Sequence, residues 1–405
     1  MIASLRELFV RAGATPGMLC ISALCLLMQP TKASISIPFE LNSGKIYIRA
    51  ELNGADERWL ILDAGSRNMI LDSSLCDALG LNTSPLGDLQ GQGANSFPAS
   101  RVDGTVVARF DDLVVRTTHA IAGPLNRVVG PYEGRQVNGV LGVRDVFQRY
   151  TVEIDYQGRR LRLHEPAAFH YEGQGQVVQL TNRNMRMLAQ ATLRLPDGSE
   201  VEGEFLVDTG MRGAVILHSE FVREHRLLER FGDTVRAVKG GGIGGRAEFQ
   251  VARSEALSVG PVTVPSIVVW MTDPDGEMAQ PRSWSGVIGS AFLQRFRAFF
   301  DIGGGRLILE PAEFDAQSVR DDRSGMFVIT DGEGRHRVID VVDNSPAHDA
   351  GIQVGDLLVS IQGEPIRSLE HARHILRGEI GERVTVGTRR SGEHRSAVVV
   401  LREIV

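Results

Sequence analysis

The sequence has 405 residues, of which 42% are hydrophobic and 23% are charged, and this composition is ordinary for a globular protein. The length exceeds that of one typical core, so we expect two or three domains. The formal net charge of -6 gives no reason to expect a nucleic-acid partner. Abundant glycine and few aromatic residues favour many short strands joined by tight turns.

The first 33 residues are typical of a signal peptide. Arg6 and Arg11 precede an apolar run at residues 18–28, which is too short to span a bilayer but fits a signal h-region. Cleavage after Ala33 would release an exported chain, and retention of the segment as a membrane anchor is the alternative. We expect membrane contact only if the segment is retained. The mature chain would keep Cys76 alone and so could form no internal disulfide.

Residues 34–166 have the pattern of a first lobe built from strands. Residues 45–52 alternate with period two, and an apolar strand at residues 59–62 leads into Asp63-Ala64-Gly65-Ser66. Much later, Gly139 opens another short apolar run, and a hairpin closes the lobe at residues 151–166.

Residues 167–311 repeat this order as a second lobe. An apolar strand leads into Asp208-Thr209-Gly210, and Gly286 opens the later apolar run. Asp63 and Gly139 are 76 residues apart, and Asp208 and Gly286 are 78 apart. Two similar lobes imply an approximate two-fold axis, which can bring equivalent loops face to face.

The two aspartates predict acid–base chemistry if they meet. Each follows a buried strand, where ionisation is costly without compensation. Two carboxylates in contact share a proton, so one can activate a water while the other donates a hydrogen bond to a substrate carbonyl. Neither a metal nor a cofactor is needed. Gly65 and Gly210 suit loops that approach each other closely. Taken singly, either aspartate could be an ordinary turn residue.

Two other patterns do not predict a site. Residues 240–245 match G-x-G-x-x-G, but the residues that follow alternate like a strand, which excludes a dinucleotide fingerprint and leaves a flap or a plain hairpin. His218 and His225 lie seven apart without zinc-ligand spacing, so we expect no metal site.

The doubled motif, Asp208-Thr209-Gly210 with Val287-Ile288-Gly289, resembles the aspartic protease family with retropepsin-like lobes. The resemblance covers residues 35–311. It implies a mainly β fold with two barrel-like lobes, a polypeptide substrate, and Asp63 and Asp208 as the catalytic pair. It also implies a glycine-rich flap. Our candidates for the flap are Gly242, Ile243 and Gly244 in the second lobe, and Gly91 and Gly93 in the first.

The two motifs depart from the family pattern differently. Family members usually carry Thr or Ser after each catalytic Asp, and this chain has Thr209 but Ala64. Ser66 can hydrogen-bond Asp63, whereas Met211 offers Asp208 nothing equivalent. We therefore expect Asp63, supported by Ser66, to be the more readily ionised member of the pair.

Residues 324–405 form a different unit, joined by a polar linker at residues 312–323. Asn344-Ser345-Pro346-Ala347, Val354-Gly355-Asp356-Leu357-Leu358 and Ile361-Gln362-Gly363 resemble a small α+β PDZ domain of the bacterial protease-associated type. Such domains bind C-terminal peptides on a sheet edge. Gly325, Met326 and Phe327 are our candidates for the carboxylate cradle. The alternative is a PDZ domain that only packs on the protease.

These patterns together predict an exported, periplasmic or secreted bacterial aspartic endopeptidase with a PDZ domain that binds peptide or tethers substrate. A second reading is an inactive peptide-binding adaptor, its aspartate pair weakened at Ala64. A third is a membrane-anchored regulator that keeps its N-terminal segment.

Overall fold

The computed structural model describes residues 34–91, 95–276 and 282–405, and the chain from Ser34 to Val405 forms one compact unit. The predicted signal peptide, residues 1–33, lies outside the described residues. Within those described ranges, no helix combines the length and the apolar character needed to cross a membrane.

The first lobe is built from short strands with a few helical turns. A π-helical turn lies at Val143–Phe147 and a 3₁₀ turn at Pro166–Ala168. Its helices are α1 (Ser73–Ala78), α2 (Leu125–Val128) and α3 (Gly130–Glu133). Its strands are β1 (Ser34–Pro38), β2 (Glu40–Asn42), β3 (Lys45–Leu52), β4 (Glu57–Leu62), β5 (Ile70–Asp72), β6 (Thr83–Gln90), β7 (Ser96–Val102), β8 (Val106–Phe110), β9 (Leu113–Thr117), β10 (Ile121–Gly123), β11 (Gly139–Leu141), β12 (Thr151–Asp155) and β13 (Arg160–His164).

The second lobe has fewer strands than the first, and its hairpin strands are longer. Its helices are α4 (Ser219–Glu224), α5 (Leu227–Phe231) and α6 (Ser290–Leu293). Its strands are β14 (Gln176–Arg183), β15 (Arg186–Arg194), β16 (Glu200–Val207), β17 (Val215–Leu217), β18 (Val235–Gly242), β19 (Gly245–Val259), β20 (Val262–Met271), β21 (Gly286–Ile288), β22 (Phe296–Asp301) and β23 (Arg306–Pro311).

The duplication read from the sequence recurs in the strand pairing. In the first lobe β11 runs parallel to β4 and antiparallel to β5. In the second lobe β21 runs parallel to β16 and antiparallel to β17. These short strands are entirely buried, which fits their continuous apolar character. In each lobe, the buried end of β4 or β16 therefore lies directly before an aspartate.

The lobes share one sheet. One end of this sheet has the strand order β1-β13-β12-β22-β23-β14, so three strands from each lobe lie side by side there. β12 pairs antiparallel to β22 where the lobes meet. A single hydrophobic core runs through both lobes, and Phe147 and Phe300 meet edge to face within it at a ring-centroid distance of 5.2 Å. The shared sheet fixes how the two aspartate loops face each other.

The C-terminal unit is a small α+β domain with its own hydrophobic core. Its sheet has the order β24-β25-β26-β28-β29, and β27 pairs with β26. The predicted linker at residues 312–323 includes a 3₁₀ turn, Ala316–Val319, whose last residue is buried. The unit's elements are β24 (Met326–Thr330), β25 (His336–Val341), α7 (Pro346–Asp349), β26 (Leu357–Ile361), β27 (Glu364–Pro365), α8 (Leu369–Ile375), β28 (Arg383–Arg390) and β29 (Glu393–Val400).

Candidate active site

Asp63 and Asp208 occupy equivalent positions at the ends of β4 and β16. The Asp63 amide donates to the Leu141 carbonyl at 3.0 Å, and the Asp208 amide donates to the Ile288 carbonyl at 2.9 Å. The parallel strand pairs β4–β11 and β16–β21 thus fix the backbone of each aspartate. This placement follows from the repeated apolar-strand motif in the sequence.

The two aspartate loops touch across the lobe interface. A Cβ on Gly65 would lie 2.5 Å from Cγ of Asp208, and a Cβ on Gly210 would lie 2.5 Å from Cγ of Asp63. Any side chain at either glycine would therefore collide with the opposite carboxylate. The two carboxylates are also hydrogen-bonded to each other. The structure brings together the pair that the sequence motifs singled out.

One hydroxyl braces the two loops. Thr209 Oγ1 accepts a hydrogen bond from the Ala64 amide and donates one to the Leu62 carbonyl, both at 2.9 Å. Thr209 is fully buried, as is Ala64. The Ala64 methyl group cannot return the equivalent bonds to the second lobe. The brace is therefore one-sided, as the contrast between Thr209 and Ala64 predicts.

The expected role of Ser66 needs a correction. Its hydroxyl donates to the Asn68 carbonyl at 2.9 Å and does not support Asp63. The Ser66 amide does so instead, at 3.0 Å, because the turn that follows Asp63 points this N–H at the carboxylate. Asp63 Oδ1 also accepts the Gly65 amide at 2.8 Å, while Asp208 Oδ1 accepts the Gly210 amide at 2.7 Å.

The electrostatic environments of the two carboxylates also differ. Burial, and then the charge of Asp63, raise the pKa of Asp208 well above its ordinary value. Amide donors favour the ionised form of a carboxylate, and Asp63 receives two of them on one oxygen. Burial of Asp208 and the two amide donors on Asp63 therefore favour a proton on Asp208.

Two hairpin tips meet above the pair. The second-lobe hairpin of β18 and β19 turns at Ile243 and Gly244, and Gly91 directly follows β6 of the first lobe. The Gly244 carbonyl accepts the Asn95 amide at 3.3 Å. Gly91 lies so close to the Ile243 carbonyl that no Cβ would fit. Gly93 lies outside the described residues.

Beneath the hairpins lies a cavity of about 370 Å³ that includes both aspartates. Gly91, Gly242 and Ile243 line it from the hairpins, and Gly65 and Gly210 line it from the aspartate loops. Three of the five flap candidates and the aspartate pair thus line one cavity, although they are far apart in the sequence.

A buried ion cluster stands behind the pair, and the sequence patterns did not reveal it. Glu133 Oε1 lies 2.9 Å from Lys45 Nζ and 2.8 Å from a guanidinium nitrogen of Arg212. Tyr47 donates to the other carboxylate oxygen at 3.0 Å. Burial alone would raise the pKa of Glu133, but the charges of Lys45 and Arg212 outweigh it and lower that pKa. No local motif marks Glu133, because its partners come from distant segments.

The C-terminal domain contacts the first lobe beside this cluster. Phe327 stacks on Tyr132 at a centroid distance of 6.2 Å. Arg373 donates to Ser43 Oγ at 2.9 Å, and the Ser43 hydroxyl in turn donates to Glu370. The groove between β24 and α8 therefore faces the first lobe.

The prediction that Gly325, Met326 and Phe327 form a carboxylate cradle needs correction, because these residues already have partners within the chain. The Gly325 amide donates to Asp322 Oδ1 at 2.8 Å, and the Met326 amide donates to Ser324 Oγ at 3.2 Å. Two of the three expected donors are thus already bonded within the chain, and Phe327 is held by Tyr132. The PDZ domain is therefore packed against the first lobe at this position.

The described side chains form no metal site. Across the described ranges, no cluster of three or more His, Cys, Asp or Glu side chains is placed to hold a metal ion. His218 Nδ1 lies 3.1 Å from the Trp284 carbonyl, and burial lowers its pKa to about 4.

Comparison with known proteins identifies two domains. Residues 191–292 match the family described as aspartyl protease, and residues 337–390 match the PDZ domain family. The chain therefore carries an aspartyl protease domain and a C-terminal PDZ domain, in a mainly β fold, as the sequence predicts.

Among the solved structures that are similar to this chain is the aspartic proteinase from Irpex lacteus. It is 14% identical, with 71% of this chain and 100% of that chain covered and a TM-score of 0.42. No curated protein sequence matches the chain.

The one-sided brace predicts that Thr209→Val destabilises the protein. Valine keeps the shape but leaves the Ala64 amide and the Leu62 carbonyl unbonded, which costs roughly 2–4 kcal/mol of unfolding free energy. Thr209→Ser keeps the hydroxyl and is expected to lose less than about 1 kcal/mol. Denaturant unfolding of both variants measures the difference. Equal losses would show that the hydroxyl does not brace the loops.

The buried ion cluster predicts a large cost for Glu133→Gln. Glutamine removes the carboxylate charge with which Lys45 and Arg212 pair, and we expect a loss of about 3–5 kcal/mol of unfolding free energy at neutral pH. The lowered pKa means that the carboxylate stabilises the fold above the ordinary glutamate pKa, and that this contribution is lost as pH falls through the lowered value.

The matched control for that variant is Glu57→Gln, which removes an exposed ion pair with Arg49 at 3.5 Å and is expected to change stability by less than about 0.5 kcal/mol. Thermal unfolding of the two variants side by side provides the comparison. A Glu133→Gln protein as stable as the control would contradict the assignment.

Proposed function

We propose that this protein is an endopeptidase in which Asp63 and Asp208 hydrolyse peptide bonds through a shared, activated water. The observation that carries the proposal is the reciprocal contact of the two loops, in which each glycine lies against the opposite carboxylate. Contact of this kind makes one shared proton the stable state. The match of the second lobe to the aspartyl protease family supports the same reaction class.

The asymmetry of the pair assigns the roles. Asp63, which accepts two amide hydrogen bonds, takes a proton from the water as it attacks the scissile carbonyl carbon. Asp208, whose pKa is raised, donates a hydrogen bond to the carbonyl oxygen. When the tetrahedral intermediate collapses, the C–N bond breaks and the amine takes a proton from the pair. The products are a carboxyl group and an amine, so the pair is regenerated.

The meeting hairpins supply the enclosure that this chemistry needs. Because the tips contact each other at Gly91 and Ile243, a polypeptide can enter only when the tips separate. Closure over the substrate would exclude bulk water and strengthen the hydrogen bonds made by the pair.

We infer that the PDZ domain works as a support for the protease and as a tether for polypeptide. The Asp340 carboxylate accepts the Val238 amide of the flap strand β18 at 2.9 Å, so the domain holds the flap at its base. β24 is an edge strand, which is the position where PDZ domains add a peptide strand. A ligand there would have to displace the contacts of Phe327 with Tyr132 and of Arg373 with Ser43.

We further propose that the protein is exported and acts in the periplasm or outside the cell. This proposal rests on the basic residues and the short apolar run of the first 33 residues.

Replacing Asp208 tests the reaction. Asp208→Asn keeps the shape but removes the shared proton, so we expect cleavage of an unfolded polypeptide to fall by at least about 100-fold. Asp111→Asn, at an exposed turn with positive φ that asparagine tolerates, is the matched control and should keep full activity.

In the wild-type protein, cleavage should decline as pH rises through the raised Asp208 pKa, because the acid is then lost. A pH–rate profile measures this limb. Absence of cleavage by the wild-type protein at every pH would refute the proposal and leave the peptide-binding adaptor.

Export is tested on the protein made in a bacterial host. Mass spectrometry of the purified protein should give a mature N-terminus at Ser34, and cell fractionation should place it outside the cytoplasm. An intact N-terminus in a cytoplasmic fraction would contradict export, and an intact N-terminus in the membrane fraction would indicate the anchored form.

A further inference from the structure

The active-site cavity is lined by far more positive than negative charge. Six basic residues line it, against two acidic residues, which are the catalytic pair itself. The six are Lys45, Arg67, Arg186, Arg212, Lys239 and Arg282. Glu133 neutralises part of this excess, since it pairs with Lys45 and Arg212 behind the site.

Three of the remaining residues, Arg67, Arg186 and Arg282, form what we call the arginine cluster. Arg186 is held by the Gly65 carbonyl of the catalytic loop, and Arg282 donates to the Gly91 carbonyl of the first-lobe hairpin at 2.8 Å. Arg67 directly follows Ser66 of the catalytic loop. None of the three forms an ion pair with a carboxylate of the described chain. Their hydrogen-bond anchors are neutral, so only the charges of Asp208 and Asp63 offset the positive charge of Arg186.

A second observation at Arg186 indicates an anion-binding site. Its Nε is shielded from solvent and has no hydrogen-bond partner among the described residues. Burial, and then the charge of Arg67, lower the pKa of this guanidinium, with Arg282 adding to the repulsion. A buried donor without an acceptor and a group of like charges are both costly. An anion in the cavity would relieve both.

The catalytic pair cannot supply that anion. In its working state it carries one negative charge, whereas the arginine cluster carries three positive charges. The balance leaves two positive charges beside the reacting atoms. Guanidinium groups bind carboxylates with paired, charge-assisted hydrogen bonds, which makes a carboxylate the matching ligand on a polypeptide.

We propose that the arginine cluster selects polypeptides that carry a carboxylate next to the scissile bond. This inference rests on the proposed peptidase function and names its substrate class. The carboxylate has two sources: an Asp or Glu side chain within the chain, or the free C-terminus of a short peptide. Ile216, Phe249 and Trp270 add an apolar surface to the same cavity, so an apolar residue near the acidic one would complete the match.

The first test compares peptides that differ in one charge. Each pair has Asp or Glu, or the isosteric Asn or Gln, next to the cleavage position, and each is made with a free and an amidated C-terminus. We expect cleavage efficiency to be at least about tenfold higher for the acidic member. An effect of the side chain or of the free C-terminus identifies the source, and the absence of both effects overturns the inference.

Variants of the arginine cluster test whether these side chains cause the acidic preference. Arg67→Gln and Arg282→Gln should remove most of the acidic preference, expressed as the ratio of cleavage efficiencies for the acidic and the amide member of each peptide pair. Arg109→Gln, an exposed arginine of β8 that lies 3.7 Å from Glu51, is the matched control and should keep the preference. An acidic preference that survives in both cluster variants overturns the assignment. The preference should also fade as pH falls below about 4, where the substrate carboxylates become neutral.

A binding experiment separates this inference from the proposed reaction. In the Asp208→Asn protein, acidic peptides should quench or shift tryptophan fluorescence at lower concentration than their amide partners, because Trp270 and Trp284 line the cavity. Acidic preference in binding without wild-type cleavage would refute the peptidase and keep the carboxylate site. Cleavage dependent on Asp208 without any acidic preference would keep the peptidase and refute the carboxylate site.

Discussion

The structure depends on the close contact of two loops that each present a carboxylate to the other. Two buried carboxylates repel one another when both are ionised, and the interior offers little solvation to soften that repulsion. Their contact persists because strong, directional forces hold the loops elsewhere. The shared sheet ties the lobes together through β12 and β22, and the parallel strand pairs fix each aspartate by its own amide. Glycine at positions 65 and 210 removes the steric barrier that would otherwise keep the loops apart.

The pair is symmetric in its backbone and asymmetric in its environment. The amides of both aspartates bond to equivalent carbonyls, at nearly equal distances. The differences come from what surrounds the carboxylates: the single Thr209 hydroxyl, the additional Ser66 amide on Asp63, and the deeper burial of Asp208. Internal duplication therefore sets the geometry, and divergence after duplication sets which carboxylate keeps the proton.

The features that could be predicted from the sequence are those that local residue patterns encode. The doubled strand-to-aspartate motif located Asp63, Asp208 and both glycines, and residues 240–245 located a hairpin, because each depends on residues adjacent in the chain. Prediction from the sequence failed where tertiary contacts decide. The Ser66 hydroxyl turns to Asn68, and the Gly325 and Met326 amides are taken by Asp322 and Ser324. Glu133 and Arg186 acquire their roles only through partners that lie far away in sequence.

The position of the PDZ domain follows from the same principle of directional bonding. Its contact with the first lobe combines one aromatic stack, Phe327 on Tyr132, with hydrogen bonds through Ser43. Ser43 also offers its carbonyl to Arg212 at 3.0 Å, and Arg212 lies two residues after Gly210. Arg373, which is buried at this contact, bonds to both Ser43 and the Val328 carbonyl of β24. A continuous set of bonds thus runs from α8 of the PDZ domain to the second catalytic loop. Because buried polar groups are costly to leave unpaired, these bonds fix the docked position more strictly than apolar packing alone would.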